Sequence, residues 1–185
     1  MITETWKPQL TKRKHIPFHH DWLFCEGNTA GAHQPSYSDT QWRLLDVPHD
    51  WSIEKPFDPD MPHGGSQGYL PRWTVGWYRK HFTVDASHYN HLVYIQFDGI
   101  HHNSEVWING HYLGIRPYGY VTFQYDLTPY LYWDRENILA VKVDNTVMPC
   151  DRWYSGAGIY RSGAGCRRFA CCQLFPRHEL PAGST

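Results

Sequence analysis

The stretch EVWINGHYLG, residues 105–114, holds the strongest local fold signal in the chain. Val106 and Ile108 alternate with neighbours that point the other way, which is the period of a β-strand with one buried face. Asn109-Gly110 then separates this run from a second one. Both positions of a two-residue type I′ turn need positive φ, which Asn and Gly adopt most readily. The stretch therefore predicts a β-hairpin.

The same period of two recurs on both sides of this hairpin, and GWYRKHFTV (76–84) is predicted to be a further strand. Short alternating runs separated by turns, without long windows of helical spacing, predict an all-β fold, an antiparallel β-sandwich of the jelly-roll kind. The apolar residues of two runs, LVYIQF (92–97) and NILAVKV (137–143), are predicted to face one shared core: Val93, Ile95, Phe97, Leu139, Val141 and Val143.

Composition narrows the classes of partner. The 185 residues suit one domain, and 17 Lys and Arg against 18 Asp and Glu leave a net charge of −1. Such a balance favours neither a nucleic acid nor a membrane as partner. The chain is rich in aromatic residues, with 9 Trp, 13 Tyr and 8 Phe. Aromatic rings fill cores and also stack on the apolar faces of sugars, so both uses stay open at this point.

The two ends of the chain bear on its location and on its domain boundary. Residues 1–15 contain no apolar core of a signal peptide, and no apolar run approaches the ~20 residues of a membrane span. Five cysteines, an odd number without Cys-x-x-Cys spacing, argue against a zinc site and a disulfide framework, and with no signal peptide visible a cytoplasmic location is predicted. Three cysteines crowd the last twenty residues, where strand alternation stops and Ser162-Gly-Ala-Gly165 repeats Ser155-Gly-Ala-Gly158. We predict a domain over 1–161 and a non-native or disordered tail over 162–185.

Several motifs between Phe18 and Arg161 resemble glycoside hydrolase family 2, and their order in the chain is also the order in that family. They are YSDTQWRLLDVPHDW (37–51), GYLP (68–71) with GWYRK (76–80), FDGI (97–100), VWING (106–110), FQYDLT (123–128), NILAV (137–141) and RWYSGAGIYR (152–161).

The resemblance implies the non-catalytic N-terminal sugar-binding domain of a β-galactosidase-type enzyme, a galactose-binding-domain-like jelly roll that precedes an immunoglobulin-like domain and a TIM barrel. The family's activity would be retaining hydrolysis of terminal β-galactosides in carbohydrate metabolism. That chemistry needs two carboxylates ~5–5.5 Å apart, which the family carries on the barrel, and a barrel takes ~250 residues. We therefore predict a truncated fragment without catalytic residues of its own. A free-standing carbohydrate-binding, lectin-like module is the alternative.

Three residues are predicted to bind substrate. Asp151 matches an aspartate that, in β-galactosidases of the family, accepts hydrogen bonds from galactose hydroxyls, as a carboxylate does well. A solvated loop aspartate or an N-cap is the other interpretation. Arg72 and Trp73 stand where the family carries a loop that approaches the sugar, although Trp73 packed under its own loop is the alternative there.

The remaining expectations concern partners and ions. Arg152, Trp153 and Tyr154 resemble the family's domain junction and are predicted to contact the missing barrel, together with the turn 155–160. An uncovered junction predicts self-association and only weak binding of a β-galactoside. No cofactor and no metal are expected, because adjacent histidines such as His19-His20 and His101-His102 should point to opposite sides of a strand.

Overall fold

The fold consists of two antiparallel β-sheets packed face to face, in a computed structural model that describes residues 14–61, 65, 68–71, 73–146 and 153–161, with the backbone of 170–176. Two 3-10 turns, Ala86–His88 and Thr128–Tyr130, join strands. The described residues form these strands: β1 (Lys14–Pro17), β2 (Trp22–Glu26), β3 (Arg43–Leu45), β4 (Val75–Thr83), β5 (His91–Phe97), β6 (Ser104–Ile108), β7 (His111–Arg116), β8 (Phe123–Asp126), β9 (Glu136–Asp144) and β10 (Ala170–Pro176).

Strand order separates the chain into a four-stranded sheet, β1-β10-β5-β8, and a six-stranded sheet, β3-β2-β4-β9-β6-β7. One hydrophobic cluster joins their inner faces and contains all six residues predicted for the shared core, each of them 0% exposed: Val93, Ile95 and Phe97 from β5, and Leu139, Val141 and Val143 from β9. The predicted sandwich is therefore confirmed. Each such side chain contributes about 1.5–3 kcal/mol by leaving water.

The hairpin that the sequence predicts at Asn109-Gly110 is present between β6 and β7, with φ of 50° and 82° at these two residues. The side chain of Asn109 also links the turn to the neighbouring strand. Its Nδ2 donates to Asn137 Oδ1 at 2.8 Å, and its Oδ1 accepts from the Ile138 amide at 2.9 Å. This contact fixes the hairpin against β9.

The predicted absence of strand structure after Arg161 is wrong for Ala170–Pro176. These residues form β10, which lies between β1 and β5 and pairs antiparallel with both. The physical reason is an open sheet edge: β5 carries fully buried residues, and β10 supplies the hydrogen-bonding partner that its backbone needs. Residues 162–169 and 177–185 lie outside the described residues, and the boundary at Arg161 stays a prediction.

Candidate functional site

The segment 153–161 folds back onto the turn that begins at Val47. The amide of His49 donates to the carbonyl of Ile159 at 2.8 Å, and the amide of Trp51 donates to the carbonyl of Ala157 at 3.2 Å. We call these two pieces the opening turn (47–54) and the closing segment (153–161). Their pairing brings together residues about a hundred positions apart in the sequence.

Gly158 lets the two pieces approach this closely. Its φ is 122°, and a Cβ atom there would lie 2.2 Å from Tyr78 Oη and 2.7 Å from the His49 carbonyl oxygen. A backbone bridge to His101, with both N–O distances at 3.0 Å, holds the residue from the other side. Only glycine fits a site that has no room for a side chain and a φ of this sign.

A polar cluster sits where the opening turn meets the closing segment, and we name its three members, Asp50, Ser52 and Tyr154, the hydroxyl cluster. Ser52 donates to Asp50 Oδ1 from its amide at 3.0 Å and from its Oγ at 2.7 Å. Tyr154 Oη donates to Asp50 Oδ2 and lies 2.5 Å from Ser52 Oγ. Both hydroxyl protons are therefore directed at one carboxylate, an arrangement of charge-assisted hydrogen bonds.

The side chain of His49 is buried beside this cluster. Arg43 Nη2 lies 2.8 Å from His49 Nε2, and His49 Nδ1 lies 2.8 Å from Tyr78 Oη. Because a guanidinium only donates, this short contact favours Nε2 as an acceptor and the proton on Nδ1, although the carboxylate oxygen Oε1 of Glu54 also lies 3.3 Å from Nε2. Burial lowers the pKa of His49 below its ordinary value, and the nearby carboxylate of Glu54 offsets part of that effect. Burial raises the pKa of the Tyr78 hydroxyl.

A cavity of about 490 Å³ opens between the two pieces, within the size range of small-molecule sites. Its walls combine the Asp50 carboxylate with four aromatic side chains, those of Tyr120, Trp153, Tyr154 and Tyr160. Trp153 is 59% exposed, whereas Tyr120 Oη is buried and has no hydrogen-bond partner among the described residues. Flat rings beside a carboxylate suit a ligand with apolar faces and hydroxyl donors, which is the chemistry of a sugar.

Of the residues predicted to bind substrate or to contact the barrel, those that line this cavity in the described part of the chain all belong to the predicted barrel contact, among them Trp153 and Tyr154. Trp73 is half-buried, and its Nε1 donates to Met61 Sδ at 3.0 Å within its own loop; it is not among the described residues that line the cavity. Asp151, Arg72 and Arg152 lie outside the described residues. Their assigned roles stay predictions.

The expectation of an exposed junction over 153–160 needs a correction. Trp153 is exposed and Tyr154 is half-buried, but residues 155–159 are buried against the chain's own core, with Ala157 and Ile159 at 0% exposure. The reason is the backbone pairing with the opening turn, which places this stretch under Tyr78 and His49 rather than on an outer face.

Three residues of the site were not singled out from the sequence: Asp50, Ser52 and Tyr120. Asp50 lies in the Pro-His-Asp-Trp motif, so its position was visible, but its partner stands 104 residues away. A signal for Tyr120 was weaker still, because an aromatic residue in a loop is more often a packing residue.

No group of three or more His, Cys, Asp or Glu residues is placed to hold a metal ion in the part of the chain that the structure describes. The adjacent histidines do not point apart as the sequence suggested: the ring centroids of His101 and His102 lie 4.6 Å apart, and those of His19 and His20 lie 4.0 Å apart. Over the same described residues, no helix is long and apolar enough to cross a membrane.

Comparisons with known proteins place these observations in a family. Residues 43–164 match the sequence model of the glycosyl hydrolases family 2 sugar binding domain. The chain is 52% identical over 153 residues to the β-galactosidase BoGH2A of Bacteroides ovatus, a match that covers 83% of the chain and 18% of that protein. It is 37% identical over 166 residues to a β-glucuronidase of Formosa agariphila, covering 82% of the chain and 17% of that protein.

A solved structure agrees with the sequence matches. The crystal structure of a β-glycosidase from Bacteroides vulgatus superposes with a TM-score of 0.74 at 45% identity, over 88% of the chain and 20% of that structure. The chain thus spans a fifth or less of the length of these relatives. The chain belongs to glycosyl hydrolase family 2, and its β-sandwich is the N-terminal sugar binding domain of that family.

Proposed function

We propose that this chain serves as the non-catalytic N-terminal domain of a β-galactosidase-type enzyme, in which it packs against the catalytic barrel and supplies one wall of the sugar subsite. The observation that carries the proposal is the cavity between the opening turn and the closing segment. The exposed indole of Trp153 lies at the rim of this cavity, and Asp151 precedes Trp153 by two positions in the sequence. Hydrolysis itself needs a pair of carboxylates held around the anomeric carbon, which the family carries on its barrel.

The charge of the cavity supports a neutral sugar as the ligand. Among its described lining residues, Asp50 is the only one with a formal charge, because burial lowers the pKa of His49 and favours the neutral ring. A uronate carboxylate would meet the like charge of Asp50, whereas a galactose hydroxyl would find an acceptor there. The 52% identity to a β-galactosidase points the same way.

Titration calorimetry on the 185-residue chain tests the proposal with galactose and glucuronate as ligands. We expect a galactose Kd no tighter than about 1 mM, since one wall of a pocket offers few contacts against the full cost of association. Asp151→Ala should weaken it further, and glucuronate should bind less well. The purified chain should not turn over a chromogenic β-galactoside.

Two results would contradict this function. A tight sugar affinity that Asp151→Ala leaves unchanged would favour the free-standing, lectin-like module. A preference for glucuronate over galactose would remove the galactoside assignment while leaving the family intact.

A further inference from the structure

The Nε2 atom of His49 lies within reach of two side chains of opposite charge. Arg43 Nη2 is 2.8 Å away from it, and Glu54 Oε1 is 3.3 Å away. A guanidinium only donates hydrogen bonds, and an ionised carboxylate only accepts them. A neutral ring with its lone pair on Nε2 therefore pairs with Arg43, whereas a ring protonated at Nε2 pairs with Glu54.

These side chains can exchange partners without a change of fold. Arg43 Nη2 also donates to Glu54 Oε2 at 2.7 Å, so the guanidinium keeps a carboxylate partner when it leaves the ring. The side chains of Arg43 and Glu54 are 50% and 43% exposed, whereas that of His49 is 8% exposed. The groups that move thus lie at the surface, and the group that titrates stays in place.

The other neighbours of the ring are uncharged and hold it still. The Tyr78 hydroxyl of β4 lies 2.8 Å from His49 Nδ1, and burial raises the pKa of that hydroxyl, which keeps it neutral. Strand β2 contributes the ring of Phe24, whose centre is 4.6 Å from that of His49. The closing segment contributes backbone, with the carbonyl of Ile159 accepting from the His49 amide. A proton on Nε2 therefore acts on the side of the ring that faces Arg43 and Glu54.

The charged groups around His49 pull its protonation in opposite directions. Burial lowers the pKa of the ring, the carboxylate of Glu54 raises it, and the guanidinium of Arg43 lowers it again. Asp50, the next residue in the chain, adds a further rise. Asp50 lines the cavity together with His49, so the charge of the ring is felt at the cavity wall.

We propose that His49 is a pH-sensitive switch that controls whether the cavity accepts an anionic sugar. With a neutral ring, a uronate meets the charge of Asp50 alone and is disfavoured. When Nε2 takes up a proton from solvent, the ring exchanges Arg43 for Glu54 and places a positive charge beside Asp50. The preference between sugars rests on the function proposed above, whereas the exchange of partners stands without it.

NMR of the His49 ring in the full 185-residue chain tests the exchange of partners. We expect the proton on Nδ1 at neutral pH and a titration midpoint below 6.5. Arg43→Gln removes the cation that opposes protonation and should raise the midpoint, whereas Glu54→Gln removes the acceptor of the protonated ring and should lower it. Both side chains are about half exposed, so these variants leave the core intact.

A second histidine provides the matched control. His20 Nδ1 also pairs with a carboxylate, Asp46 Oδ2 at 2.6 Å, but His20 is not among the described residues that line the cavity. His20→Gln should leave the midpoint of His49 unchanged. Midpoints that move in the same direction in Arg43→Gln and Glu54→Gln, or that do not move, would overturn the exchange.

Sugar titrations at about one pH unit above and below the measured midpoint test the effect on the cavity. The ratio of the glucuronate Kd to the galactose Kd should fall by about threefold or more as the ring becomes charged, because the added cation attracts the uronate carboxylate. In His49→Gln, which takes up no proton, the ratio should stay the same.

Each remaining outcome has a distinct meaning. An equal fall of the ratio in the wild type and in His49→Gln would assign the effect to another group and overturn the switch. If the wild type binds neither sugar at either pH, the proposed function fails and the sugar preference with it. The NMR midpoints then still decide whether His49 exchanges Arg43 for Glu54.

Discussion

Two segments fold back onto other parts of the chain, and they are held by different chemistry. Residues 27–42, which connect β2 to β3, cover the outer face of the sheet around Arg79. The closing segment is joined to the opening turn through backbone bonds and the hydroxyl cluster. The first contact depends on a buried ion pair, and the second on hydroxyls and one carboxylate.

The polar groups of the first segment are paired with Arg79 of β4. Arg79 is 0% exposed, its Nε donates to Asp39 Oδ2 at 2.6 Å, and its Nη1 donates to the carbonyls of Ala32 at 2.5 Å and Gln34 at 2.9 Å. The guanidinium carbon also lies 5.6 Å from the centre of the Tyr37 ring. Its donors are directed at the chain's own acceptors, so this region is structural.

The second segment borders a cavity. Tyr120 Oη lacks a partner among the described residues, Trp153 is exposed, and a cavity separates them from Asp50. On the function proposed above, the sugar would meet the chain where a folded-back segment borders a cavity.

The largest expected loss of stability is at Arg79, which holds residues 27–42. Arg79→Ala should lower the free energy of unfolding by about 3–5 kcal/mol, because it leaves the buried carboxylate of Asp39 with His81 alone and removes the donor to the carbonyls of Ala32 and Gln34. Urea denaturation monitored by tryptophan fluorescence gives the value. Arg135→Ala, at an exposed turn, should stay within about 0.5 kcal/mol of the wild type. A loss below about 1 kcal/mol for Arg79→Ala would mean that the ion pair is not what holds residues 27–42.

The stability cost of alanine at two glycines with the same φ, one in each region, compares how tightly the two regions are packed. Gly27, in the first, and Gly158, in the second, have φ of 123° and 122°, but a Cβ atom at Gly27 meets nothing within 4 Å. Alanine at either site costs about 1–2 kcal/mol for backbone strain. Gly158→Ala should cost about 1–3 kcal/mol more by overpacking against Tyr78 and His49. Equal losses in thermal unfolding would show that the closing segment has room to move away.

The two regions should also respond to acid in different pH ranges. Burial lowers the pKa of His49 below 6.5 in the folded chain, so the unfolded chain binds more protons and stability falls as pH drops below about 6.5. Burial raises the pKa of Asp39, but hydrogen bonds from His81 and Arg79 outweigh it and hold that pKa below 3.8. The stability from Asp39 is therefore present above about pH 3.8 and is lost as pH falls through its folded pKa.

The difference in stability between the wild type and His49→Gln, measured against pH, isolates the contribution of His49. Denaturation midpoints between pH 7.5 and 3 should show a flatter profile for the variant between about pH 6.5 and 5, and parallel profiles below about pH 4. The same slope in both proteins near pH 6 would assign that loss to other histidines.

The smallest effect on stability is expected at the cavity rim. Trp153→Ala should change the free energy of unfolding by no more than about 0.5 kcal/mol, since the indole is largely exposed. It should, however, raise the concentration at which the isolated chain self-associates, because exposed apolar surface drives such contacts. Sedimentation velocity over a concentration series measures this, with Tyr132→Ala as a control on another surface. Association unchanged by Trp153→Ala would locate the contact elsewhere.

The sequence by itself determined the features that depend on neighbours along the chain. Alternation in residues 92–97 and 137–143 predicts which side chains are buried, because a strand places every second residue on one face. Asn109-Gly110 predicts the hairpin, because the two turn residues alone meet its need for positive φ. The ordered motifs likewise indicated the family that residues 43–164 match.

The tertiary structure alone decided what depends on distant partners. Residues 170–176 lack an alternating pattern, yet they form β10, since an open edge of β5 supplies hydrogen bonds to any backbone in register. The burial of 155–159 and the hydroxyl cluster joining Asp50 to Tyr154 arise in the same way, from a contact across 104 residues. Local patterns carry no information on such a contact, because its energy exists only after the chain has closed the loop between the two residues.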